Sequence, residues 1–221
     1  MTDQSARSEP FKTPVCRFSY VKDMFERKVK KTDDGQVVRD AKTGKEITLQ
    51  TCTLIFDNTP ENKASFERVL QGVLREKWGD NGITRFKAGL IHNPLLAGDG
   101  VEAKNKKTGE IRPGLGADKF FIRVATQREV PVLYKSKLVP AKYGEGPDEI
   151  KSGDYGFAVL SAYTWHNAKK GDGISFGIEY LQKTRDGESL GGVGGISVDD
   201  FYESVQGTPA MAGASADSLF A

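Results

Sequence analysis

The sequence predicts a mainly β chain: a single antiparallel barrel with one helix after its first hairpin, long loops and disordered ends. Three observations predict it. Strand-like alternation recurs in about five or six segments, helical periodicity occurs in one, and no strand–helix–strand repetition appears. The 221 residues suffice for one large domain, and 38% hydrophobic content supplies its core. A 28% charged fraction and 25 glycines make the rest hydrophilic and rich in loops.

In chain order, residues 1–13 are polar and read as a flexible N-terminus. Pro14 to Phe25 is β-branched and aromatic, a first strand. Glu26 to Lys45 is dense in charge, and Val37-Val38 between two turn candidates suggests the arm of a long hairpin. Glu46 to Asp57 is a strand with Leu49, Thr51, Thr53 and Ile55 on one face and Cys52, Leu54 and Phe56 on the other. Thr59 then caps a helix with Pro60 at its first position. Phe66, Val69, Leu70, Val73 and Leu74 recur at helical spacing to about Trp78, and Gly79-Asp80-Asn81-Gly82 ends the run. Residues 85–117 read as irregular.

Lys119 to Thr126 alternates, with Phe120, Ile122 and Val124 on one face and Phe121 and Arg123 on the other. A Pro- and Gly-rich connection, 131–148, leads to a long strand, Tyr155–Trp165. A turn at Asn167–Gly173 follows, then Ile174–Leu181 with Ile174, Phe176, Ile178 and Tyr180 on one face. Residues 191–221 read as a flexible, mildly acidic tail. This order of elements fits an OB-fold-like barrel, the oligonucleotide-binding type, over residues 14–190.

The net charge of +2 hides a division. From Asp186 onward there are six acids and no Lys or Arg, which leaves residues 1–185 at +8. A basic body with an acidic tail suits a polyanion-binding domain carrying a competing or partner-seeking segment. No run of about 18 apolar residues exists to span a membrane, and the N-terminus lacks the apolar stretch of a secretory signal. A cytoplasmic protein is expected. Cys16 and Cys52 lie in apolar strand patterns and read as buried thiols.

The catalytic strings fail their context. Gly173-Ile174-Ser175-Phe176-Gly177 spells a nucleophile elbow, but Ser175 lies within a strand, and His92 and His166 both precede it. No GxxxxGK[ST] phosphate loop and no HExxH metal spacing occur. No enzyme, metal or cofactor is expected.

What remains is rings interleaved with cations, the two ingredients for holding unpaired bases and their phosphates. Tyr155, Phe157, Tyr163 and Trp165 share the odd-numbered face of one strand, with Lys169 and Lys170 at the adjoining turn. The candidate stacking residues are Tyr20, Phe121, Tyr163 and Trp165. The candidate phosphate contacts are Arg17, Lys119, Arg123, Lys169, Lys170, Lys183 and Arg185. A strand aromatic is more often core than platform, and a loop lysine is more often simply solvated. Three alternatives stay open: a phage structural or protein-interaction module, an RNA binder and a duplex-DNA binder.

Several strings resemble phage single-stranded-DNA-binding proteins over about residues 14–205. They include Arg17-Phe18-Ser19-Tyr20, Phe25-Glu26, Asn93-Pro94-Leu95 with Gly98-Asp99-Gly100, and Asp118-Lys119-Phe120-Phe121-Ile122. Val130-Pro131-Val132 and Ile150-Lys151-Ser152-Gly153-Asp154-Tyr155-Gly156 add to them. The most specific runs from Leu181 through Gln182-Lys183-Thr184-Arg185-Asp186-Gly187-Glu188 to Leu190-Gly191-Gly192. The resemblance implies an oligonucleotide-binding fold, single-stranded DNA as partner, and a role in phage DNA replication, recombination or repair as a monomer or homodimer. The charged insert at 27–45 departs from the family, and the tail is less acidic than in relatives of this function. Asp217 and Phe220 keep an acidic-aromatic ending, so replication or recombination proteins are the tail's expected partners.

Overall fold

The alternating segments form strands, and their neighbours are fixed by which face each must bury. The structure, a computed structural model, describes residues 5–32, 34–134, 139–146 and 148–190. The N-terminal strands are β1 (Phe11–Lys12), β2 (Cys16–Ser19), β3 (Lys28–Val29) and β4 (Thr48–Asp57). Two helices follow, α1 (Pro60–Trp78) and α2 (Asp80–Lys87), then β5 (Ile91–His92), β6 (Leu96–Ala97) and β7 (Lys119–Thr126). Short strands β8 (Val132–Tyr134), β9 (Val139–Pro140), β10 (Lys142–Tyr143) and β11 (Glu149–Ile150) precede the long hairpin β12 (Tyr155–Asn167) and β13 (Gly171–Arg185).

Helix α1 begins as its sequence dictates: the Thr59 side chain accepts a hydrogen bond from the Asn62 amide at 3.3 Å, with Pro60 in the first turn. Its apolar stripe delivers Phe66 into a cluster of rings. The Phe66 centroid lies 5.0 Å from Phe56 and 5.5 Å from Phe176, and Phe56 stacks on Phe120 at 5.1 Å. Phe18, Leu54, Ile122, Leu160 and Ile178, all fully buried, complete this core. Cys16 and Cys52 are free thiols within it, and burial pushes the Cys52 thiol up to about 12.

Among the described residues the α-helices number two, where one was expected. Gly79, at φ 62°, turns the chain without strain, and the run Asp80–Lys87 resumes as α2 instead of remaining irregular.

The expected closed antiparallel barrel is corrected by the strand pairing. The sheet runs β1–β12–β2–β4–β7–β13–β8–β9, with β12 also paired to β13. β5, β7 and β8 all meet β13 in parallel, and between β7 and β13 the pairing is a single bridge, Val124 to Phe176. The sheet therefore curls around its core without closing as an antiparallel barrel. Length explains it. Fifteen residues of β13 rise roughly 50 Å, more than the eight of β7 can line, so its second edge is shared among three partners.

Residues 5–13 lie against β12. Ala6 is buried, its amide bonded to Thr164 Oγ1 at 2.9 Å, and Phe11 and Lys12 pair with Leu160 and Val159. No helix among the described residues is long and apolar enough to cross a membrane.

Two register shifts reset the faces of β13. At the first, Val159 opposes Tyr180 and Leu160 opposes Ile178, leaving Glu179 as an extra residue. Ile174, Phe176 and Ile178 point inward as expected, but Tyr180 turns to the half-buried side and Leu181 and Lys183 turn in. A shift of one residue moves every later side chain to the other face.

Candidate nucleic-acid interface

The outward face of β2–β4–β7 is set by register. Arg17, Ile55 and Phe121 form one row, Ser19, Thr53 and Arg123 the next, and Asp57 faces Lys119. Two hollows open on this face.

The first, about 480 Å³, is lined by Arg17, Ile55, Asp57, Gly114, Lys119, Tyr155 and Arg185, with Val15 and Cys16. Two guanidinium groups lie over the Tyr155 ring, whose edge packs against Gly187: the Arg185 carbon is 3.9 Å from the ring centroid and that of Arg17 is 5.6 Å. Arg17 is held by donating to the Gly153 carbonyl at 3.0 Å and the Glu188 carbonyl at 2.8 Å. The Lys119 ammonium lies 2.7 Å from Asp57 and 2.8 Å from Asp118. Hydrogen bonding to Asp118 and then Asp57 raises the lysine's pKa, so it stays charged.

The second hollow, about 530 Å³, carries Lys28, Lys104, Lys106, Arg112 and Arg123 among its walls, against two carboxylates, Asp23 and Glu102. Five cations outnumber two acids, so the hollow keeps a positive field. Its floor is small: Thr51, Thr53 and Ala125. Arg123 is anchored to Glu102, its guanidinium 2.8 Å from the carboxylate and 2.7 Å from the backbone carbonyl. Lys28 pairs with Asp23 at 2.6 Å. Tyr20, on the rim, is 49% exposed and has a left-handed backbone, φ 57° and ψ 32°. A non-glycine residue pays about 1–2 kcal/mol for that conformation. Buried Val21, its amide bonded to Ser152 Oγ at 3.2 Å, holds the turn that sends the Tyr20 ring outward.

A small apolar cluster separates the hollows. Ile55, Ala103 and Phe121 are buried beneath Leu96, Leu115 and Leu190.

The candidate residues therefore divide. Arg17, Lys119 and Arg185 come together in the first hollow, and Tyr20 and Arg123 in the second. Phe121, Lys183 and Trp165 lie outside the linings of the hollows. Phe121 does point away from the main core, but the loop through Ala103 and Leu115 covers it to 1% exposure, so no base reaches it. Lys183, turned inward by the shifts in β13, is 3% exposed and pairs with fully buried Asp154 at 2.7 Å and with Asp186 at 2.8 Å. It is a structural ion pair. Trp165 lies over Gly173, where an added Cβ would come within 2.1 Å of the indole, and its Nε1 donates to Ser175 Oγ at 2.9 Å. His92 stacks on the indole at 5.6 Å, and Trp165 is half-buried. Half-buried Tyr163 and exposed Lys169 and Lys170 share that far end of the hairpin. Asp217 and Phe220 lie outside the described residues.

Sequence reasoning missed Tyr155, Lys28, Lys104, Lys106 and Arg112 as site residues. Tyr155 was visible on the same odd face as Tyr163 and Trp165. The lysines of the 104–107 loop carried only the signal of a charged turn. Among the described residues, no group of three or more His, Cys, Asp or Glu side chains is placed to hold a metal ion.

Residues 39–210 match a protein family described as Enterobacter phage Enc34, ssDNA-binding protein. Among solved structures, the single-stranded DNA-binding protein from bacteriophage Enc34 is similar at TM-score 0.51 and 16% identity, over 88% of this chain and 90% of that one. The same phage's protein in complex with ssDNA is similar at TM-score 0.49 and 15% identity, over 82% and 89%. The single-stranded DNA binding protein gp2.5 of bacteriophage T7 follows at 0.39 and 10%, over 92% and 99%. At these identities the likeness to the first is one of fold. No curated protein matches the sequence.

Proposed function

The chain belongs to the family of the phage Enc34 single-stranded-DNA-binding protein, and on that premise we propose that it coats unpaired DNA across the outward face of β2, β4 and β7. It is a non-catalytic, sequence-tolerant binder. The observation that carries the reading is Tyr155, flanked by Arg17 and Arg185 at the mouth of a hollow that also holds Lys119. A base can replace one guanidinium on the ring while that guanidinium turns to a phosphate, keeping both interactions within reach. Tyr20 offers a second ring, and the five cations of the neighbouring hollow carry the backbone onward. Phosphate attraction is indifferent to sequence, and stacking accepts every base.

Residues 14–190 are the binding domain, and the tail from residue 191 meets replication or recombination proteins. The protein works in the host cytoplasm, during replication, recombination or repair of phage DNA.

Titration with dT oligomers of graded length at two salt concentrations tests this. If about four phosphates are neutralised, the slope of log affinity against log salt is near −3, a roughly fifty-fold weakening from about 50 to about 200 mM. A flat salt response, or equal competition by duplex DNA, rejects the reading.

A further inference from the structure

We propose that His92 is a second, separate stacking position for a DNA base, built at the far end of the β12–β13 hairpin from Tyr155. The inference rests on the DNA-binding reading above and extends it to a site with its own geometry.

The far end of the hairpin contains a ring fixed in place and another ring displayed on it. Trp165 is immobilised by its close fit over Gly173 and by its bond to Ser175. His92 lies nearly parallel to it, at an interplanar angle of 19°. Two further constraints hold the imidazole. Its backbone is a rung of β5, paired with Gly173, and its Nε2 lies 2.8 Å from the Lys170 carbonyl. A carbonyl only accepts, so Nε2 carries the proton and donates. The outer face of the imidazole remains exposed. A flat ring with a locked plane, backed by a larger ring, loses little freedom when a base settles on it.

The charge around it suits a phosphate. Exposed Lys169 and Lys170 occupy the adjoining turn, whose shape is fixed because Asn167 Oδ1 accepts from both lysine amides, at 2.9 and 3.0 Å. The nearby carboxylate, Asp172, is engaged by Arg85 at 2.6 Å and by His166 Nδ1 at 2.8 Å. Its charge is matched locally and does not oppose an incoming anion.

Strand length separates this position from the first hollow. Ten residues of β12 divide Tyr155 from Trp165, roughly 33 Å of strand. A short oligomer fills one position and a long one reaches both.

The test uses the full chain and two dT oligomers, roughly 5 and roughly 20 nucleotides, the first near the lower end of the ~4–16 nucleotide footprint of one module and the second beyond its upper end. His92→Ala is expected to weaken the long oligomer about fivefold, the loss of one modest stacking contact, and to leave the short one unchanged. His92→Phe, which keeps a flat ring, restores the long-oligomer affinity. Equal losses at both lengths overturn the proposal, as does no loss at either. So does failure of Phe to rescue while its thermal midpoint matches wild type. If His92→Ala lowers the midpoint, the ring is a structural cover for Trp165 unless Phe restores both midpoint and length dependence. Wild type that binds neither oligomer removes the DNA-binding reading itself, an outcome distinct from all of these.

Discussion

The two ends of β12 carry similar sequence and meet different fates. At one end Tyr155 faces Arg17 and Arg185; at the other Trp165 neighbours Lys169 and Lys170. Sequence favours the second, because tryptophan offers the larger ring and the turn is basic. The proposed site reverses the order. Trp165 is pressed onto Gly173 and stacked with His92, whereas Tyr155, which packs against Gly187, has the guanidinium groups of Arg17 and Arg185 over its ring where it lines the first hollow. What makes a ring a platform is what covers its faces, and that is decided by residues distant in sequence.

The largest expected effects separate structure from contact. Phe121→Ala should cost about 3–5 kcal/mol of stability, as for a buried phenylalanine, and be read as a lower thermal midpoint. Lost DNA affinity at an unchanged midpoint would return Phe121 to the binding surface. Lys183→Met leaves Asp154 as an uncompensated buried charge and should cost about 3–5 kcal/mol by the same measurement.

Tyr155→Ala sharpens the comparison directly. Removing one stacked base should cost about 1–3 kcal/mol of binding with little change in midpoint. Trp165→Ala should do the opposite, lowering stability by about 1–3 kcal/mol before it alters short-oligomer binding. If the two variants exchange these signatures, the assignment of the two ends is wrong. A smaller effect is expected from Lys104→Gln with Lys106→Gln, which should flatten the salt slope by about 1.4, two phosphates at roughly 0.7 each.

The smallest effect concerns pH. The Asp172 carboxyl titrates below its ordinary 3.8, held down first by its hydrogen bond from His166 and then by Arg85. A lowered folded-state pKa stabilises the fold above the unfolded value, and that stabilisation fades as pH falls through the folded one. Wild type and Asp172→Asn should therefore differ in midpoint at neutral pH, and the gap should close only as pH falls below the ordinary 3.8 and through the lower folded value. A gap that persists in acid would mean that Asp172 acts through packing.

Local signals were legible in the sequence and long-range ones were not. The Thr59 cap, the Phe66 stripe and the alternation of Lys119–Thr126 depend on neighbours a few residues away, and each took the form its spacing dictates. Lys183 turns inward because Glu179 adds a residue to β13 and the parity changes beyond it, which no count along the strand reveals. The burial of Phe121 is not legible locally because its cover comes from Leu96, Ala103, Leu115 and Leu190. The closed barrel failed for the same reason: β13 spends its second edge on three strands far apart in sequence. Of the site, the residue types were readable; their grouping into two hollows was not.

Lysine acetylation footprinting with and without a dT oligomer probes the central claim most directly. Bound DNA should protect Lys28, Lys104 and Lys106, which line one hollow, while Lys63 and Lys87 on the helices react as before. Protection of the helix lysines with unchanged reactivity at Lys104 and Lys106 would place the DNA on another surface and contradict the account.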